Sequence, residues 1–396
     1  MAMIETVDRK ARGLRPRVEQ RAHTGEFLRR LDWLLFAAVF GLVAYGLWAI
    51  GGITQSDPGG SAAPRQFGYA IAGLVLLGVA IFIDPQVYRR FRRPIYGGAL
   101  AMMAIVLLSA AAEARGSRRW LDIGPVRFQP SEFGKVLFAL TLAAFVADRA
   151  RRINEWRAVL EVVAVGVLPI VLVFMQPDLG TALVYGTLLA TVLFVAGTRW
   201  LHLGILATVA VIGIVSILWL LPAAGVQVLK PYQQDRLTGF LNPDSDPQKT
   251  TYNVHQSITA VGAGGLHGRG IEEATQTRWN YLPEHATDFA FASLAEQRGF
   301  VGVTFLLLLY LLVVWRGLKT MARARDLYSA IIAGAIVVTF LFQVFVNVGM
   351  AIGIAPITGI PLPFVSVGGS SLVSNLAAMG ILQAINARGL DRRSRR

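Results

Sequence analysis

The stretch Trp279–Gly302, WNYLPEHATDFAFASLAEQRGFVG, is polar where it begins and apolar where it ends. A largely apolar run, Phe300–Trp315, continues from its last residues. This order predicts a helix that enters a membrane with its charged end at one surface. The charged and titratable groups at that end are Glu284, His285, Asp288, Glu296 and Arg298. Carboxylates at a membrane edge are costly, so these residues indicate a functional site.

A structural role for the acids is the alternative. Pro283 suits the first turn of a helix, where acidic residues complement the positive end of the helix dipole. If the helix has already begun there, Glu284 and Asp288 are four residues apart and share one face. The cost of removing carboxylates from water favours function over capping.

Composition places the chain among helical membrane proteins. Of its 396 residues, 54% are hydrophobic and only 16% are charged, a profile typical of polytopic membrane proteins. The net charge of +14 does not indicate nucleic-acid binding, because the positive residues form short clusters between apolar runs, as in cytoplasmic loops. The absence of cysteine excludes disulfides and thiolate metal sites.

Apolar runs of about twenty residues predict an all-α membrane protein with about ten transmembrane helices. The predicted spans are roughly 32–54, 66–83, 95–112, 131–147, 158–174, 181–196, 202–221, 288–315, 328–352 and 371–385. The arginine clusters predict that both termini are cytoplasmic. Residues 1–31 and 388–396 then form basic tails around a membrane domain, 32–387, and residues 222–287 form a long extracytoplasmic loop between helices 7 and 8.

This topology gathers many acids on the extracytoplasmic side and predicts chemistry there. The long loop has too few apolar residues for a domain and is predicted to pack over the mouth of the membrane domain. Asp244 and Asp246 are a weak cation signal, and the histidines lack metal-ligand spacing. The sequence therefore names no metal ligand, although a divalent cation such as Mg²⁺ or Mn²⁺ stays open as a cofactor.

The segment Arg115–Lys135, RGSRRWLDIGPVRFQPSEFGK, leads into the fourth predicted span. Glu132 and Lys135 are three residues apart on one helix face, where an ion pair that solvates itself is one explanation. A Lys and a Glu just inside a span more often line a polar cavity, which favours function. The loop arginines, Arg119 among them, suit an anionic ligand such as a pyrophosphate or a lipid headgroup, and a solvated loop explains them equally well.

Two further segments combine proline with acids or glycines. In MQPDLGTALV, Asp178 is predicted to cap the sixth span. In APITGIPLPFVSVGGSS, residues 355–371, the prolines and glycines predict a re-entrant or broken segment before the tenth span. Such backbone is tolerated at membrane depth only where it faces protein or a wet cavity.

Assembled in order, these segments resemble the SEDS family (shape, elongation, division, sporulation), and its RodA branch more than its FtsW branch. The resemblance covers nearly all ten spans. Five motifs carry it: RWLDIGPVRFQPSEFGK; QPDLGTA; YQQDRLTGFLNPDSDP with YNVHQS and GGLHGRG; LPEHATDF with EQRGFVG; and NVGMAIGIAPITGIPLPFVSVGGSS. The sequence TGIPLPFVS within the last motif favours the RodA branch.

The resemblance implies a peptidoglycan glycosyltransferase of the bacterial cytoplasmic membrane that polymerises lipid II on the outer face during cell elongation. It also implies a class B penicillin-binding protein as transpeptidase partner. The family's essential aspartate maps onto Asp288, and its glutamate and lysine of the fourth span map onto Glu132 and Lys135. Five further motif residues are assigned to substrate binding: Arg119, Gln129, Arg236, Glu284 and Ser370.

Two positions depart from the family pattern. His285 stands one place early and Ala286 takes the usual histidine position, which puts a histidine role in doubt and leaves Asp288 in register. Val367 replaces the tyrosine usual in the VSYGG segment.

Glycan extension fits the residues. A sugar hydroxyl attacks an anomeric carbon whose leaving group is a lipid pyrophosphate, so the step needs a carboxylate base and cations for the departing charge. Asp288 is the predicted base. Glu132 and Lys135 are predicted to line the same cavity, with Lys135 or Arg119 near the pyrophosphate.

Two other functions are considered. A flippase for the lipid-linked precursor would want polar residues along the whole membrane depth, whereas here they concentrate at the outer end. A non-catalytic scaffold for cell-wall enzymes predicts that the acids can be replaced without loss.

Overall fold

The computed structural model describes residues 27–57, 59–108, 119–123, 126–226, 229, 233–234, 240 and 251–394. Within them the helices are α1 Trp33–Ile53, α2 Ala63–Phe82, α3 Pro85–Arg90, α4 Arg92–Leu108, α5 Pro130–Asp148, α6 Trp156–Met175, α7 Leu179–Val195, α8 Trp200–Ala223, α9 Tyr252–Ala263, α10 Thr275–Arg278, α11 Ala290–Ala322, α12 Leu327–Ala351 and α13 Gly369–Ser394. A two-stranded antiparallel hairpin, β1 Leu121–Ile123 and β2 Val126–Phe128, leads into α5.

Helices occupy all ten predicted span positions. Seven of those in the described residues are long and apolar enough to cross a membrane, namely α1, α2, α5, α6, α8, α11 and α12. The other three positions hold α4, α7 and α13, of which α7 is apolar but has only 17 residues. The predicted class, an all-α multi-pass membrane protein, is confirmed.

The boundaries differ from the sequence prediction at three places. Helix α11 begins at Ala290, so Glu284 and Asp288 lie in the turns before it and do not share a helix face. The predicted loop before the fourth span contains the β1–β2 hairpin. Helix α13 continues to Ser394, through most of the predicted C-terminal tail. The basic residues 1–26 lie outside the described part.

The centre of the bundle is formed by α5 and α12, whose residues are mostly buried by neighbouring helices. Small residues allow close approach elsewhere, as membrane helices require. A Cβ on Gly380 of α13 would lie 2.5 Å from the Leu77 carbonyl oxygen of α2. Helix α8, in contrast, is hardly covered by neighbouring helices, because His202 is its one buried residue.

One end of the bundle is held by Asp32. Its carboxylate caps α1 by accepting the Leu35 amide at 3.0 Å, and it also pairs with Arg316 of α11 at 2.6 Å. Its backbone exchanges two hydrogen bonds with the Gln383 side chain of α13, at 2.9 and 2.8 Å. Three helices that are distant in sequence are therefore joined at one residue.

Helix α11 is interrupted at Gly299, whose φ of 64° and ψ of −166° are open essentially only to glycine. The interruption frees two amides: Phe300 donates to the Gly265 carbonyl at 2.8 Å and Val301 donates to the Leu266 carbonyl at 3.1 Å. The glycine-rich loop after α9 therefore docks on α11 by main-chain hydrogen bonds.

We expect Gly299→Ala to destabilise the protein. The backbone conformation alone costs about 1–3 kcal/mol for alanine, and the added Cβ would lie 2.3 Å from the Gly268 nitrogen. Thermal unfolding in detergent should show a lower melting temperature. Gly204→Ala in α8 is the control, because a Cβ there meets nothing within 4 Å. Equal melting temperatures for the two variants would contradict this account of the interruption.

Candidate active site

Glu132 and Lys135 lie in the first turns of α5, which begins at Pro130. The Lys135 ammonium donates to the Glu132 carboxylate at 2.8 Å, and the two residues are only 6% and 2% exposed. The ion pair of the alternative explanation is therefore formed, but it is buried and not exposed to solvent. A buried pair has high desolvation costs and is weak evidence for stability, which favours a functional role.

Lys135 lines a small cavity between four helices. Its walls include Leu188 of α7, Gln343 of α12 and Asn375 of α13. An ammonium carries three N–H donors, and Glu132 accepts one of them. Lys135 thus brings a positive charge to a cavity whose other walls are largely apolar.

Helix α12 presents a polar stripe on the buried side of the bundle. Thr339, Gln343 and Asn347 are spaced by four residues and so lie on one face. Each has a buried side-chain oxygen that accepts or donates no hydrogen bond within the described part of the chain. Buried oxygens of this kind are normally satisfied by water or a ligand. Thr339 lies at the middle of α12, so polar groups reach deeper than the sequence predicted.

Asn347 joins the stripe to the Asp288 turn. Its side-chain amide donates to the Asp288 carbonyl at 3.0 Å and to the Ile360 carbonyl at 2.8 Å. Gln343, which lines the Lys135 cavity, is one helical turn, about 6 Å, further along α12. The Asp288 turn and the Glu132–Lys135 pair therefore flank the same stretch of one helix.

The segment 352–368 is non-helical and largely buried, as its prolines and glycines predicted. Its Val367 amide donates to the Ala286 carbonyl at 2.8 Å, and its Ser366 hydroxyl donates to the Thr287 carbonyl. These two contacts fix the backbone immediately before the half-buried Asp288. Because Val367 acts through its amide, the missing tyrosine side chain does not disturb this contact.

A second cluster surrounds Gln129, the residue before α5. Its backbone N–H donates to the Ser370 hydroxyl at 3.0 Å, and its side-chain N–H₂ donates to the Asp178 carboxylate at 3.3 Å. Asp178 also caps α7 by accepting the Thr181 amide at 3.0 Å, so the predicted capping role is confirmed. Arg119 lies 3.6 Å from the same carboxylate. Three of the residues assigned to substrate binding therefore meet around Asp178.

Three other titratable residues of the opening stretch, Glu284, His285 and Glu296, have hydrogen-bond partners within the protein. The Glu284 carboxylate accepts the Thr287 hydroxyl at 2.9 Å, and Glu284 has a left-handed φ of 56°. His285 is buried and lies 3.0 Å from Asp57 in the loop between α1 and α2. Glu296 is fully buried and accepts three hydrogen bonds from Gln276 and Thr277 of α10, so its role is structural.

Arg236 lies outside the described residues, so its assignment to substrate binding stays a prediction. Sequence reasoning missed Asn347, Gln343 and the second role of Asp178. A weak signal existed for the first two, because a repeated four-residue spacing of amides in an apolar span indicates one polar face.

No group of three or more His, Asp or Glu side chains in the described part of the chain is arranged to hold a metal ion. The described acids near the site instead have partners in the protein, as Glu132 has in Lys135 and Asp178 in Arg119. The divalent cation that the sequence left open thus gains no ligand set here.

Comparison with known proteins identifies the family of the chain. A family model described as "Cell cycle protein", for FtsW, RodA and SpoVE, matches residues 29–389. The chain therefore belongs to the FtsW/RodA/SpoVE family, in agreement with the predicted SEDS membership.

The relatives specify the class further. The chain is 37% identical over 360 residues to the peptidoglycan glycosyltransferase MrdB of Escherichia coli, covering 90% of this chain and 93% of the relative. It is 32% identical to the peptidoglycan glycosyltransferase RodA of Treponema pallidum, covering 91% and 98%. A solved chain from a peptidoglycan synthase complex that coordinates polymerization and crosslinking matches with a TM-score of 0.77 and 31% identity, covering 91% and 98%. These matches confirm the predicted enzyme class, a peptidoglycan glycosyltransferase. They also support a multi-pass bacterial membrane protein.

Proposed function

We propose that this glycosyltransferase polymerises lipid II into glycan strands on the outer face of the cytoplasmic membrane during cell elongation. One observation carries the proposal. Buried polar groups form a path between the two parts of the site: Asn347 donates to the Asp288 carbonyl, and Gln343, one turn earlier in α12, lines the same cavity as Lys135, which pairs with Glu132. A path of this kind is expensive within a membrane domain, and catalysis by charged groups explains why it is kept.

In the proposed reaction, Asp288 removes the proton from the attacking sugar hydroxyl. The hydroxyl oxygen forms a new bond to the anomeric carbon of the donor sugar, and the bond from that carbon to the lipid pyrophosphate breaks. The proton ends on the Asp288 carboxylate, and the pyrophosphate leaves with the electron pair. General-base catalysis of this type contributes about 10²–10⁴-fold.

Lys135 and Arg119 supply positive charge for the leaving group. Lys135 has N–H groups beyond the one that Glu132 accepts, and Glu132 keeps the ammonium fixed at the cavity. One Nη of Arg119 lies 3.6 Å from the Asp178 carboxylate, and the Arg119 side chain remains partly exposed. A guanidinium in that setting suits the oxygens of a pyrophosphate. Gln129 and Ser370 bring this cluster to the start of α5.

Two assignments concern the surroundings of the enzyme. A class B penicillin-binding protein is the proposed partner, and the similarity to a chain of a polymerising and crosslinking synthase complex supports it. Both termini are proposed to be cytoplasmic, with residues 222–287 outside. The reason is that arginine clusters lie in the loops and tails at the other ends of the helices, and such clusters are typical of the cytoplasmic side.

The deciding experiment uses the purified full chain in detergent with fluorescent lipid II. We expect polymeric glycan on a gel, and more of it when the transpeptidase partner is added. Transfer of lipid II across the bilayer of reconstituted vesicles without any polymer would favour the flippase. No polymer and no transfer, with intact partner binding, would favour the scaffold.

The topology has its own test. Glu273 in the long insert and Asn154 between α5 and α6 are exposed, and the chain has no native cysteine. In intact cells, a membrane-impermeant maleimide should label Glu273→Cys and leave Asn154→Cys unlabelled. Labelling of Asn154→Cys alone would invert the proposed orientation.

A further inference from the structure

Arg298 lies directly before Gly299, at the interruption of α11. Its guanidinium carbon stands 3.7 Å from the centre of the Trp48 ring of α1, close enough for a cation–π contact. Trp48 itself is 51% exposed, and it packs beside Tyr45, whose ring also contacts Phe305. The guanidinium therefore lies at one end of a row of aromatic side chains between α1 and α11, formed by Trp48, Tyr45 and Phe305 and called the aromatic seam below.

The Arg298 guanidinium has no acceptor in the described part of the protein. It forms no ion pair and no side-chain hydrogen bond there, and its Nε is buried without a partner. The nearest acid along the helix, Glu296, is already occupied by three hydrogen bonds from α10. A guanidinium has five N–H donors, and leaving a buried donor unsatisfied is costly. The half-buried side chain keeps its terminal Nη groups within reach of an anionic acceptor from outside the chain.

The depth of Arg298 limits what that acceptor can be. The glycine-rich loop docks on α11 at Phe300 and Val301, and beyond it α11 is apolar. Trp48 lies five residues before the end of α1 at Ile53. Tryptophan at such a position is typical of the membrane–water interface. The exposed Phe300 and Phe305 then face the acyl-chain region immediately below Arg298.

From these observations we infer that Arg298 and Trp48 form a binding site for an anionic glycerophospholipid in the leaflet at the Asp288 end of the bundle. The Nη groups of Arg298 donate to the headgroup phosphate, and the indole face keeps the guanidinium oriented toward it. An acyl chain lies along the seam formed by Tyr45 and Phe305. The inference does not depend on the proposed catalytic roles.

Native mass spectrometry of the purified full chain tests the site with two probes, phosphatidylglycerol and phosphatidylcholine. The wild type should retain phosphatidylglycerol in preference to phosphatidylcholine. Arg298→Gln should lower the retention of phosphatidylglycerol about fivefold, the effect of one cation near a membrane surface. Arg278→Gln is the matched control, because Arg278 is an arginine of the same end whose charge is paired with Glu272 at 3.1 Å.

Two further variants test the site independently if Arg298→Gln folds poorly. Arg298→Lys retains the charge without the planar fork and should bind phosphatidylglycerol with intermediate strength. Trp48→Leu should weaken binding without any change in charge. The inference is overturned if Arg298→Gln and Arg278→Gln retain equal phosphatidylglycerol, or if the wild type retains both lipids equally. If the site binds another membrane protein instead of a lipid, the wild type should retain the two lipids equally.

Discussion

Asp288→Asn should lower glycan synthesis by about two to four orders of magnitude, the range expected when a general base is lost. Asparagine keeps the shape of the side chain and removes its ability to take a proton. The backbone contact that holds the turn, from the Asn347 side chain to the Asp288 carbonyl, is unchanged by the substitution. Membrane insertion and partner binding should therefore survive, and polymerisation of purified lipid II measures the loss directly.

Glu284→Gln is the matched control, since it neutralises a carboxylate four residues away in the same turn. The glutamine oxygen can still accept the Thr287 hydroxyl that Glu284 accepts at 2.9 Å. We expect this variant to lose much less activity than Asp288→Asn. If Asp288→Asn polymerises lipid II at a normal rate and Glu284→Gln is inactive, the base assignment moves to Glu284.

The second large effect concerns the buried pair of α5. Glu132→Gln and Lys135→Met should each reduce polymerisation at least tenfold, because Lys135 supplies the positive charge at the cavity and Glu132 holds that ammonium in place. Each single change also leaves an unpaired buried charge, which costs about 3–5 kcal/mol of stability. The melting temperature and the polymerisation rate must therefore be measured together.

The double variant Glu132→Gln with Lys135→Met separates the two effects. It leaves no unpaired charge, so much of the stability should return while polymerisation stays low. Recovery of activity in the double variant would reduce the pair to a structural role. Neutralising Arg152 and Glu155, an exposed pair with the same three-residue spacing, is the control and should cost at most about 1 kcal/mol.

The sequence alone was sufficient for the fold class and for the family. Membrane spans depend on the composition of about twenty consecutive residues, which is local information, and helices lie at all ten predicted positions. The Asp178 cap was also predictable, because a cap involves only the next three residues. The buried broken segment at 352–368 followed from its prolines and glycines in the same way.

Only the tertiary structure decided how the site residues are arranged. The surroundings of Lys135 depend on helices α7, α12 and α13, which come from later and more distant parts of the chain. The link from Asp288 to Asn347 joins residues 59 positions apart. Hydropathy reports how apolar a segment is and does not report which neighbour each face contacts, so burial and partners had to come from packing.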